Sequence, residues 1–110
     1  MQKHKGQYSL FYQILGFYPN NINLYEQAFV HRSSDIRTQE GQRINNERLE
    51  FLGDAILDAV VSDILFNKFP NKKEGFLSNT RSKIVKRDTL NDIAIKMGLD
   101  KLVQTSIRTN

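Results

Sequence analysis

The sequence predicts an all-α domain, and three observations carry that expectation. Apolar residues recur at three- and four-residue spacing in several separate segments. No stretch alternates apolar and polar residues for long enough to read as a strand. Proline occurs only at Pro19 and Pro70, each between two helical patterns rather than inside one.

Tyr8, Phe11, Tyr12, Ile14 and Leu15 set out a first helix from Tyr8 to Leu15, and Gly16 ends it. His4 precedes it in a terminus expected to fray and is given no role. Pro19-Asn20-Asn21 reads as a turn. Asn23 is the expected N-cap of a second helix, with Leu24, Ala28 and Phe29 as its buried stripe and Tyr25 beside them. That helix should end around His31-Arg32, where positive side chains suit a C-terminus. Ser34 to Ile44 is polar and reads as a surface loop. A long pattern then runs from Asn46 to about Phe69 and stops at Pro70, with Asn45 or Asn46 able to cap its first turn. Asn71 to Gly75 is a turn. Phe76 or Leu77 begins the next helix, with Leu77, Arg81, Ile84 and Val85 at helical spacing. A last pattern of Leu90, Ile93, Ala94 and Met97 starts near Asp88 or Thr89 and ends at Gly98. Asp100 to Val103 can form one more short helical turn.

A chain of 110 residues makes one domain, long enough for a single core of several helices. Its 39% hydrophobic and 25% charged content suits a folded globular domain and argues against disorder. Cysteine is absent, which excludes disulfides and a thiolate metal site and is compatible with a reducing cytoplasm. No apolar run reaches membrane-spanning length, so no membrane partner is expected. The basic start, Met1-Gln-Lys-His-Lys-Gly, is not followed by a signal-peptide apolar block. A net charge of +4 hints at polyanion partners, although many soluble proteins share it. Its distribution is more informative. Lys72, Lys73, Arg81, Lys83, Lys86 and Arg87 cluster against Glu74 alone. The part from Arg81 to Arg87 could contact phosphates, but such a run is ordinarily a solvated face, with some members such as Arg81 paired to carboxylates.

The long helical pattern carries the chemistry. Glu47, Glu50 and Asp54 fall within roughly 60° of one another on one face, at about 100° per residue. Like charges at helical neighbour spacing destabilise a helix, so the grouping has no structural benefit. Leu49, Leu52, Ile56 and Val60 form one apolar stripe, and Leu57, Val61 and Leu65 lie along the carboxylate side. A helix apolar nearly all round is expected to be buried and central. Its acidic end then sits at the mouth of the core, where carboxylates are costly without a cation. Hard divalent ions such as magnesium take these oxygen ligands. A solvated acidic first turn behind a good N-cap is the plain alternative, and spacing alone does not separate the two.

The string Glu47-Arg-Leu-Glu-Phe-Leu-Gly-Asp-Ala-Ile-Leu57 closely resembles the signature of the ribonuclease III family. His31-Arg32-Ser33 and Glu74-Gly75, Leu77-Ser78 and Arg81 also resemble it. The resemblance is to the endonuclease domain of the bacterial enzymes. It implies a magnesium-dependent endoribonuclease fold that cuts double-stranded RNA in rRNA and mRNA processing. The protein would be a cytoplasmic homodimer with no organic cofactor. In the family the positions of Glu50 and Asp54 are catalytic and bind the metal, magnesium with manganese as a substitute. The two are a turn apart on one face, so both can reach one ion. Hydrolysis would leave a 5′-phosphate and a 3′-hydroxyl, without a covalent nucleophile. The resemblance links Glu47 and Glu74 to RNA contact or an auxiliary polar network; a helix-start carboxylate and a turn residue are their alternatives. It puts Phe51 in the dimer interface, where it inserts into a pocket of the partner subunit, although an aromatic there would ordinarily be core. A loop-holding role is favoured for His31 over a metal ligand. Asp58, one turn from Asp54, could support the metal ligands from behind, but a hydrogen bond to a neighbouring helix terminus is the commoner fate and is expected of it and of Asp63.

The chain departs from the family at its end. A second acidic pair completes the family's metal site, and it lies in helices beyond the position matching Asn110. The expectation is therefore a partial endonuclease domain over residues 1–110, cut short before its last helices and catalytically incomplete, with no double-stranded-RNA-binding domain. Leu57, Val61 and Leu65 would lose part of their cover. A non-catalytic RNA-binding or ribosome-associated protein of the same fold is the rival reading, although such proteins tend to lose the acids retained here. A basic helical DNA-binding module needs an exposed recognition helix, against which the burial expected of the acidic helix counts.

Overall fold

The computed structural model describes residues 2–102, with side chains from residue 6 onward. The described backbone is helical with no strand: α1 (Gln2–Leu15), α2 (Ile22–Gln27), α3 (Glu47–Lys68), α4 (Glu74–Ile84) and α5 (Arg87–Met97). Residues 99–102 add a further helical turn, as expected from Asp100 onward; Val103 lies outside the described residues. α1 starts at Gln2 rather than Tyr8, because Gln and Lys extend a helix readily and Gly6 costs only about 1 kcal/mol. α2 is shorter than expected. Ala28 N–H still bonds Leu24 at 3.1 Å, but Phe29 and Val30 bond Glu26 and Gln27, three residues back, at 3.1 and 3.0 Å. That tightening turns the chain out of the helix before His31. α4 and α5 each begin slightly earlier than expected, and α5 ends at Gly98, whose φ of 87° is a left-handed cap that favours glycine.

The Ser34–Ile44 loop is held by its own bonds. Ile44 N–H donates to Ile36 at 2.8 Å and Thr38 N–H to Gln42 at 2.8 Å, around one isolated bridge between Arg37 and Arg43. The Arg43 guanidinium donates to the carbonyls of Arg32 and Ser34, both at 3.2 Å, which closes the base of the loop.

The buried core cluster is Phe11, Ile22 and Leu102, so it lies between α1, α2 and the last described turn. Tyr25 meets Phe11 edge-on at 5.7 Å and Phe29 packs on it at 6.1 Å. α3 is not part of this cluster. It packs on α4, and α4 on α5. The molecule measures 52 × 30 × 23 Å. Its long dimension accommodates a 22-residue helix of about 33 Å.

This arrangement corrects the expectation of a buried, central α3. Only Val61 and Leu65 of that helix are buried. They lie on the carboxylate side, which α4 covers, and Leu57 beside them is half-buried. The three residues expected to lose cover are therefore the covered ones. The bare residues are Leu52, Ile56, Val60 and Ile64, each 50–55% exposed. They repeat every fourth residue along the opposite side, and among the described elements only α4 makes more than a slight contact with α3. The expectation failed because an apolar stripe states what a helix face needs and not whether the neighbour that meets the need is present.

Candidate active site

The acidic end of α3 is positioned by its connection to the end of α2. Gln27 Nε2 donates to the Asn45 carbonyl at 2.8 Å, and Asn46 Nδ2 donates to the Ala28 carbonyl at 3.1 Å. Asn46 N–H donates to the carbonyl of Val30 at 2.9 Å. Val30 itself is buried. These three bonds hold the first residues of α3 against the last turn of α2. Of the two asparagines expected to cap α3, Asn45 does so: its Oδ1 accepts from Glu47 N–H at 3.0 Å. Asn46 occupies the N-cap position, but its side chain is spent on α2.

From that anchored start, Glu47, Glu50 and Asp54 project from one face of a continuous helix. Glu50 and Asp54 are separated by about 6 Å along the axis. All three are exposed. No hydrogen bond or ion pair engages the side chains of Glu50 and Asp54 among the described residues. Their oxygens are hard donors free to bind a hard cation, which suits magnesium in chemistry. The pair does not close a metal site: among the described residues no three acidic, histidine or cysteine side chains converge. The donor set fits the ion in kind and falls short of it in number.

Glu74 lies further along α3 than this pair. It is the first residue of α4 and lines a cavity of about 200 Å³ with Ser62, Leu65, Phe66, Leu77, Ser78 and Arg81. Ser62 lies eight residues past Asp54, about 12 Å further along α3. The Ser78 hydroxyl donates to the Glu74 carboxylate, so Glu74 is a helix-start acid engaged by its own helix. In the same cavity Arg81 Nη1 donates to Ser62 Oγ at 2.8 Å. Its partner is thus a hydroxyl and not the carboxylate anticipated from the sequence. Ser62 was not singled out in the sequence. A lone serine within a helix carries no signal of a partner 19 residues away.

Phe51 is 81% exposed, which removes the core alternative for this aromatic within the described fold. His31 holds its loop: the Ser33 N–H donates to Nδ1 at 3.0 Å, and the Ser33 hydroxyl lies 2.7 Å from the same nitrogen. Asp58 and Asp63 do not reach a neighbouring helix terminus. Asp63 accepts from Asn67 one turn on at 3.2 Å, and Asp58 is exposed with no described partner. In the basic run, Lys72 Nζ sits 5.0 Å from the centre of the Phe76 ring. That contact is a cation–π pair.

Residues 21–109 match a family model described as ribonuclease-III-like. The chain is 60% identical to Ribonuclease 3 of Bacteroides fragilis and 59% identical to that of Bacteroides thetaiotaomicron, in each case over 99% of its length. It covers 38% of the first relative and 35% of the second, so it spans little more than a third of the proteins it matches. Its fold is similar to the crystallised nuclease domain of ribonuclease III from Campylobacter jejuni. One structure of that domain, described as flexible in a region involved in dimer formation, superposes with a TM-score of 0.72 at 38% identity. The match covers 84% of this chain and 61% of that domain.

Proposed function

We propose, from the premise that this chain belongs to the ribonuclease-III-like family, that it is the N-terminal part of an endonuclease domain that hydrolyses phosphodiester bonds of double-stranded RNA. One observation carries the reading: Glu50 and Asp54 stand exposed and unengaged on one face of α3, at the end anchored to α2. The Glu74 carboxylate, by contrast, is engaged by Ser78. Two carboxylates left open at a fixed helix start are suited to a ligand.

In this reading Glu50 and Asp54 hold a magnesium ion, with manganese as a substitute. When bound, such an ion neutralises phosphate charge and makes a water more acidic. The residues of the chain supply placement. The Asn45 cap and the Asn46 and Gln27 bonds keep the first turn of α3 in a fixed direction, so the two carboxylates keep their spacing. Glu47 extends the acidic face toward the RNA. Glu74, on α4 and further along α3, acts as a separate RNA contact or auxiliary group. The duplex is recognised by A-form shape through the minor groove and its 2′-hydroxyls, with basic side chains such as Lys83, Lys86 and Arg87 available to phosphates. Two copies act together, with the exposed Phe51 in the contact between them, and the protein works in the cytoplasm. No described helix is long and apolar enough to cross a membrane.

The test uses the complete protein carrying Glu50→Gln or Asp54→Asn, a long RNA duplex and magnesium. Cleavage should be lost while folding and RNA binding remain nearly intact. Undiminished cleavage by either variant refutes the assigned role, and binding without cleavage by the unaltered protein favours a non-catalytic RNA-binding function.

A further inference from the structure

We draw no further inference here: the strongest candidate, the bare apolar face of α3 formed by Leu52, Ile56, Val60 and Ile64, carries nothing because nothing in the structure shows what covers it.

Discussion

Leu65→Ala and Ile56→Ala, made one at a time in the 110-residue chain, test where α3 is packed. Each change removes the equivalent of three methyl or methylene groups. Leu65 is 4% exposed, so its loss leaves a cavity against α4. The transfer part is about 2.4 kcal/mol at about 0.8 kcal/mol per group, and the cavity adds to it, within the ordinary range of about 2–5 kcal/mol. Ile56 is 54% exposed, so its loss leaves little of a hole to fill. About half of its transfer term is already absent, which leaves about 1 kcal/mol. At roughly 4–8 °C per kcal/mol, Leu65→Ala should lower Tm by more than 10 °C and Ile56→Ala by only a few degrees. Urea denaturation followed by circular dichroism gives the same comparison through the midpoint, provided the slope is unchanged. Equal costs for the two changes would show that the Ile56 face is packed in solution and that α3 is covered on both sides, which refutes the one-sided packing.

Asn45→Ala should cost about 1 kcal/mol through loss of the first-turn cap, read by thermal melting; no change would mean that Glu47 N–H is satisfied by water. Phe51→Ala should leave the stability of a monomer within about 0.5 kcal/mol, because the side chain is 81% exposed, while shifting the complete protein toward monomer in sedimentation. A variant that stays dimeric at low micromolar concentration removes Phe51 from the contact. Arg81→Met and Ser62→Ala should show a coupling of about 1–2 kcal/mol in a double-mutant cycle, as expected of a hydrogen bond with a charged donor; additive losses would deny the tie between α3 and α4. The 110-residue chain alone should bind magnesium weakly and fail to cut a long RNA duplex under conditions where the complete protein does. Comparable rates would mean that two carboxylates suffice.

Features set by local chemistry were legible in the sequence. The long helix runs from Glu47 to Lys68, between an asparagine cap and Pro70, within a residue of each expected end. Gly98 stops α5 because the left-handed turn it adopts is nearly free for glycine and strained for other residues. Features set by distant partners were not legible. The early end of α2 comes with the pairing of Val30 and Ala28 carbonyls to Asn46, a residue in another element. The position of Glu74 depends on α4 folding back along α3, which places it beside Phe66 instead of Asp54. The resemblance linked Glu74 to RNA contact or an auxiliary network, and its surroundings of Ser62, Phe66 and Ser78 could not be read from its residue type.

The contrast among the acids follows from the same division. Spacing correctly grouped Glu47, Glu50 and Asp54, because a helix fixes direction from residue to residue. Their state had to come from the fold. Burying them beneath an apolar face would have carried a desolvation cost that only a cation or strong donors offset. The fold avoids that cost by leaving the face in water and fastening only its backbone, through Asn45, Asn46 and Gln27. Mutual repulsion between the carboxylates is then screened by solvent and small. What survives is a pair of exposed, unengaged carboxylates, Glu50 and Asp54, on which no third acidic, histidine or cysteine side chain converges among the described residues. For the proposed ion, the remaining oxygens would have to come from substrate phosphate, water or other protein groups.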